Sequence, residues 1–193
     1  ETSTWVEIEF FDKKNNFLKK IKINKLNYTN EIVINADFLN GLKDYGTFFI
    51  YHYSNKEENF KKNTLLNRCY VGYSLNNNLY SFIHGNTLAK FKHNNKNDKD
   101  FSDIVCTSFF KNHYYKIQKY FKNYDRNELI FSNPTSKSIK FSINGGKNYI
   151  LNGGNSILLE ITEDETVTIK SNCLWLRPVV FSYKNKFIDV HHS

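Results

Sequence analysis

Short runs of apolar or alternating residues, broken again and again by Asn, Gly, Lys and Asp, extend along this chain and constrain its fold more than any other feature. Successive side chains of a strand point to opposite faces, so such runs read as strands and the polar breaks as turns. In the first half WVEIEFF (5–11), FLKKIKI (17–23), EIVINADF (31–38), GTFFIYHY (46–53), CYVGYSL (69–75) and LYSFIHG (79–85) have this form. In the second half NELIFS (127–132), SIKFSI (138–143), YILN (149–152), SILLEI (156–161), TVTIKS (166–171), LWLRPVVFSY (174–183) and KFIDVH (186–191) continue it. The breaks carry matching chemistry: DKKNN, NNN at 76–78, NGG at 144–146 and 152–154, and KNK at 184–186 supply residues that tolerate the positive φ of hairpin turns. The 17 Phe and 13 Tyr suit half-buried pleated surfaces better than helices. The expected fold class is all-β, built as two tandem β-sandwich-like units.

Two stretches depart from this pattern. KHNNKNDKDFSD (92–103) is polar and aperiodic, as a linker or long loop would be. After it, Phe110, Tyr114, Ile117 and Phe121 recur at helical spacing, so at most one short helix is expected near 108–122, with an extended aromatic strand as the other reading. The expected division is a first unit over 1–91, a polar linker with the helix over 92–126, and a second unit over 127–193 or from as early as 104. An internal duplication is suggested by setting NRCYVGYSLNNNLYSFIHGN (67–86) over LRPVVFSYKNKFIDVHHS (176–193). Arg68 then meets Arg177, Val71 meets Val180, and a Phe-Ile pair precedes a histidine in both.

The formal charge of +8 invites an anionic partner, but only three of the 27 basic residues are Arg, the residue whose planar fork reads phosphates and bases. The abundance of Asn, Lys, Ile, Phe and Tyr also follows from AT-rich codons, so the charge argues for a solvated surface and against nucleic acid. Cys69, Cys106 and Cys173 are odd in number and widely spaced, which fits buried thiols rather than a disulfide framework or a zinc motif. No apolar run reaches the ~20 residues of a transmembrane helix, and no signal peptide is evident. The chain starts at Glu1 and contains no Met, which reads as a processed chain and favours secretion or the cell surface, with the compartment otherwise open.

Candidate chemistry is sparse. On a strand Asp189 and His191 share one face and His192 takes the other, so Asp189 and His191 form half a divalent-metal site, with His84 or His52 as third ligand. The competing reading is the polar, exposed end of a last strand, and no HExxH or CxxC supports metal. No other cofactor is expected. GYS at 72–74 lacks the second glycine of a nucleophile elbow, and neither NGG is a phosphate loop. Glu160, Glu163, Asp164 and Glu165 gather at a turn where carboxylates are solvated. For sugars, which need aromatic faces flanked by polar groups, the chain offers Trp5, Tyr51, Tyr53, Tyr70, Tyr73, Tyr80 and Trp175 on expected strands. Arg68 and Arg177 are anion or sugar contacts on one reading, and stacked on aromatics on the other. Ligand binding is therefore expected at Arg68, Tyr73, His84, Trp175 and Arg177. The expected function is a non-catalytic binding or structural module for a glycan or another protein, within a larger surface-associated assembly. The alternative is an enzyme, or an accessory domain of one in carbohydrate metabolism, built around the His/Asp site.

Overall fold

The computed structural model describes residues 4–24, 31–54, 70–76, 78–84, 111–117, 121–133, 135–161, 166–174 and 176–192. The chain divides into two compact units, Glu1–Asn67 and Arg68–Ser193. Their described residues are all-β: two four-stranded antiparallel sheets, a three-stranded sheet and a hairpin, with helix confined to one 3-10 turn. This agrees with tandem β-sandwich-like units. Among the described residues no helix is long and apolar enough to cross a membrane.

The first unit centres on β1 (Thr4–Asp12), flanked antiparallel by β2 (Phe17–Ile23) and β3 (Gly46–Ser54). Alternation along β1 buries Val6, Ile8 and Phe10, against which Ile21, Phe48 and Ile50 pack from the flanking strands. Asp12 builds the β1–β2 turn by accepting hydrogen bonds from the Lys14 and Asn16 backbone N–H groups, both at 2.8 Å. The expected strand over 31–38 is absent. Residues 36–41 form turns instead, because the Asn35 side chain accepts the Phe38 N–H at 2.8 Å and Asn40 (φ 57°) and Gly41 (φ 81°) close the loop. Its apolar residues still find the core: Ile32, Phe38 and Leu39 cover the inner face of the sheet.

The second unit holds the remaining strands. The hairpin β4 (Tyr70–Tyr73) and β5 (Ser81–His84) comes first, then β6 (His113–Ile117). After the 3-10 turn Phe121–Asn123 follow β7 (Arg126–Ser132), β8 (Ile139–Ile143), β9 (Asn148–Leu151) and β10 (Ser156–Ile161). Last are β11 (Val167–Ser171), β12 (Val179–Lys184) and β13 (Phe187–His192). Of the segment 108–122, residues 113–117 take the extended form. His113, Tyr115 and Ile117 face inward in alternation while Tyr114 and Lys116 face solvent, and pairing with β11 outweighs the helical spacing of the aromatics. Strand β12 starts only at Val179, since Pro178 has no N–H for a ladder.

One sheet has the order β10-β7-β12-β13 and the other β6-β11-β8-β9. Leu129, Phe131, Ile161 and Val180 from the first meet Ile117, Ile139, Phe141, Val167 and Ile169 from the second in one core, with the Phe131 and Phe141 rings 4.7 Å apart. Hairpins join the strands where Asn144 (φ 49°) and Gly145 (φ 70°) adopt successive left-handed conformations, with the Gly146 N–H donating to Ile143 O at 2.8 Å. The opposite face of the β10-β7-β12-β13 sheet is covered as well. Phe181 and Val190 project there and pack with Ile83, Val71 and Tyr73 of the β4–β5 hairpin.

Candidate functional site

The β4–β5 hairpin gathers three of the exposed aromatics of the second unit, while Tyr114 on β6 and Phe187 on β13 are exposed singly. Pairing of Val71 with Ile83 and Tyr73 with Ser81 sets one face toward β12 and β13, which leaves Tyr70, Gly72, Phe82 and His84 on the other. Tyr70 is 60% exposed and Phe82 64%, and Tyr80, at 57%, extends the row just before β5. The Tyr80 and Phe82 rings stack with centroids 5.9 Å apart and planes 30° from parallel. Gly72 makes this possible. A Cβ there would stand 2.6 Å from Phe82 Cε1, so the missing side chain is what lets the Phe82 ring lie across the neighbouring strand.

The hairpin is locked to the edge of β13 by polar side chains in register. Asn78 Nδ2 donates to Lys186 O at 3.1 Å. The Ser81 hydroxyl accepts the Val190 N–H at 2.9 Å and donates to Val190 O at 3.2 Å, satisfying both groups of an edge residue. At the end of the row His84 Nε2 lies 2.8 Å from His192 Nε2. These contacts advance together along both strands, so β5 runs parallel to β13. The paired residues lie 108 or 109 positions apart along the chain.

The residues singled out from sequence separate. His84 meets His192, which the sequence reading did not select, rather than Asp189 and His191. Asp189 and His191 do share a face of β13, the one opposite Val190 and His192. Asp189 Oδ2 accepts the Tyr124 hydroxyl at 3.1 Å. Tyr73 packs its edge on Phe181 at 4.9 Å, turned inward with the hairpin's buried face. The Arg177 guanidinium lies over the Tyr115 ring at 4.8 Å, a stacked arrangement. Burial, then the His84 ring and the Arg177 charge, hold the His192 imidazole below its ordinary value, which favours the neutral ring. Arg68, Trp175, Cys69, Cys106 and the side chain of His52 lie outside the described residues. Among the described residues no group of three or more His, Cys, Asp or Glu side chains is placed to hold a metal ion.

A second aromatic surface lies on the outer face of the first unit's sheet. Trp5 and Tyr53 stack at 5.1 Å with planes 9° apart, and Phe49, Phe11 and Phe17 continue a ladder of ring contacts. Glu7 and Glu9 stand among them, both paired with Lys20, and Glu7 also accepts the Tyr53 hydroxyl at 3.3 Å. Here the contacts are mutual. Trp5, Phe11, Phe49 and Tyr53 are half-buried and Phe17 is 58% exposed, with Glu7 and Glu9 already matched, whereas Tyr70, Tyr80 and Phe82 on the hairpin are each more than half exposed.

A signal for the hairpin site existed in the sequence, in the spacing of Tyr80, Phe82 and His84 along one strand face. The signal for His192 was weaker, because alternation separates it from His191 without saying which face β5 covers. No family model matches the sequence, no curated protein matches it and no solved structure matches the fold, so the reading of function rests on this geometry.

Proposed function

We propose that the chain is a non-catalytic binding module whose partner is a glycan, held on the outer face of the β4–β5 hairpin. The observation that carries the reading is the exposed, stacked pair Tyr80 and Phe82, with Tyr70 beside it. Contiguous exposed aromatics on a folded surface mark a recognition face more often than an accident of packing. A glycan suits this one for three reasons. The two rings, stacked with planes 30° from parallel and each more than half exposed, offer aromatic surface to the C–H faces of sugars. The tyrosine hydroxyls and the exposed Asn76 between β4 and β5 supply neutral polar groups on the same hairpin. The ring positions are set in advance by Gly72 and by the ties to β13, so little ordering entropy is lost on binding.

The test is a glycan array probed with the folded chain, followed by titration of the strongest binder. Removing one stacked ring costs ~1–2 kcal/mol, so Phe82→Ala and Tyr80→Ala are each expected to weaken binding roughly ten-fold. Tyr53→Ala, in the half-buried ladder of the other unit, is expected to leave affinity unchanged. A folded chain that retains no glycan but captures a defined protein through Phe82 would replace the glycan with a protein partner. Glycan binding untouched by both hairpin substitutions would move the site elsewhere.

A further inference from the structure

The geometry of the two imidazoles that end β5 and β13 supports a second, chemically separate site. His84 and His192 face each other through Nε2 at 2.8 Å, with ring centroids 4.0 Å apart and planes 63° from parallel. Backbone register sets this meeting: the Asn78 to Lys186 and Ser81 to Val190 contacts hold β5 and β13 side by side up to the two rings. Imidazole nitrogen is the commonest protein ligand of first-row transition metals. With metal–nitrogen bonds of ~2.0–2.1 Å, two ligands in adjacent positions at a right angle stand about 2.8–3.0 Å apart, while a tetrahedral pair stands about 3.3–3.4 Å apart. The observed spacing matches the right-angle arrangement, the one adopted by square-planar or tetragonal Cu2+ and Ni2+.

We propose that His84 and His192 form a two-imidazole chelate for a Cu2+ or Ni2+ ion, which ties the β4–β5 hairpin to β13. Without metal, one ring donates its Nε2–H to the other; with metal, the donor ring takes its Nδ1–H tautomer by proton exchange with solvent, so that both neutral rings present an Nε2 lone pair to the ion and no net proton is released. His84 is exposed, so water completes the coordination. The site differs from one built on Asp189 and His191, which lie on the other face of β13. It needs no glycan and does not depend on the glycan reading.

The experiment uses the chain without a histidine tag, titrated calorimetrically with Ni2+ and with Cu2+, in parallel with thermal unfolding. One equivalent is expected to bind and to raise the melting temperature, since an ion that prefers the folded state stabilises it by mass action. Loss of a direct ligand costs at least the roughly ten-fold seen when outer-shell partners are removed, so His84→Ala and His192→Ala should each weaken binding by that factor or more. His191→Ala and Asp189→Ala should retain the parent affinity. Because His192 is half-buried, His192→Asn serves as a second variant, and circular dichroism confirms that each variant folds. No binding at 100-fold excess of metal overturns the proposal. So does equal loss with His191→Ala, or parent affinity in folded His84→Ala.

Discussion

At the residue scale, buried side chains with several polar duties dominate the behaviour of the second unit. Asn133, 1% exposed, donates through Nδ2 to Lys137 O and Leu151 O at 2.7 and 2.9 Å, while its Oδ1 accepts the Thr135 N–H at 3.0 Å. Asn133→Ala leaves these groups without their partner and is expected to cost roughly 3 kcal/mol, read from denaturant unfolding. Tyr183 gives a test in pH. Burial, and then its hydrogen bond to Glu128 at 2.8 Å, push the phenol up to about 12, with Arg126 pulling weakly the other way. A raised acid in the folded state favours its neutral form. Its contribution is therefore complete below the unfolded value of ~10 and is lost as pH rises toward about 12. Ultraviolet titration should show a late-ionising tyrosine near the end of the titration that Tyr183→Phe removes, and an unchanged high-pH limb in that variant would refute the assignment.

At the scale of elements, the β4–β5 hairpin carries both the platform and the link to β13. Gly72→Ala is expected to leave the fold intact and turn the Phe82 ring aside, because the atom met at 2.6 Å is the far end of a side chain that can move. Glycan affinity should fall without a matching loss of stability. Ser81→Ala takes the partner from both Val190 backbone groups and should cost about 1 kcal/mol, seen as faster hydrogen exchange at the Val190 amide. Most strands were legible because alternation is a local signal that pairing only reinforces. The exceptions have separate causes. Residues 31–38 have a strand's composition, but the Asn35 side chain and the Asn40-Gly41 pair turn the chain first. Residues 113–117 carry both periodicities, and pairing with β11 decides between them. Which hairpin rings face outward was not legible, since that depends on Phe181 and Val190, distant in sequence, covering the other side.

At the scale of the whole molecule, two compact β units carry a net charge of +8, supplied mainly by Lys. The proposed recognition rests on stacked rings rather than on these charges. Exposed charges act through a field that salt screens, whereas ring stacking and apolar burial are largely unaffected. Affinity for a neutral glycan should therefore stay constant across the range of ionic strength in which a charge-driven complex would weaken steeply. The same balance explains why sequence alone led toward binding and away from catalysis without locating the face: aromatic content is visible in the chain, but exposure is a property of the assembled sheets. The most direct measurement of the central claim is proton NMR of a bound oligosaccharide, mixed in turn with the parent chain and with a Tyr80→Ala/Phe82→Ala variant. The account predicts that sugar ring protons shift upfield over the Tyr80 and Phe82 rings in the parent mixture and that the shifts vanish in the variant. Identical shifts in both mixtures would contradict it.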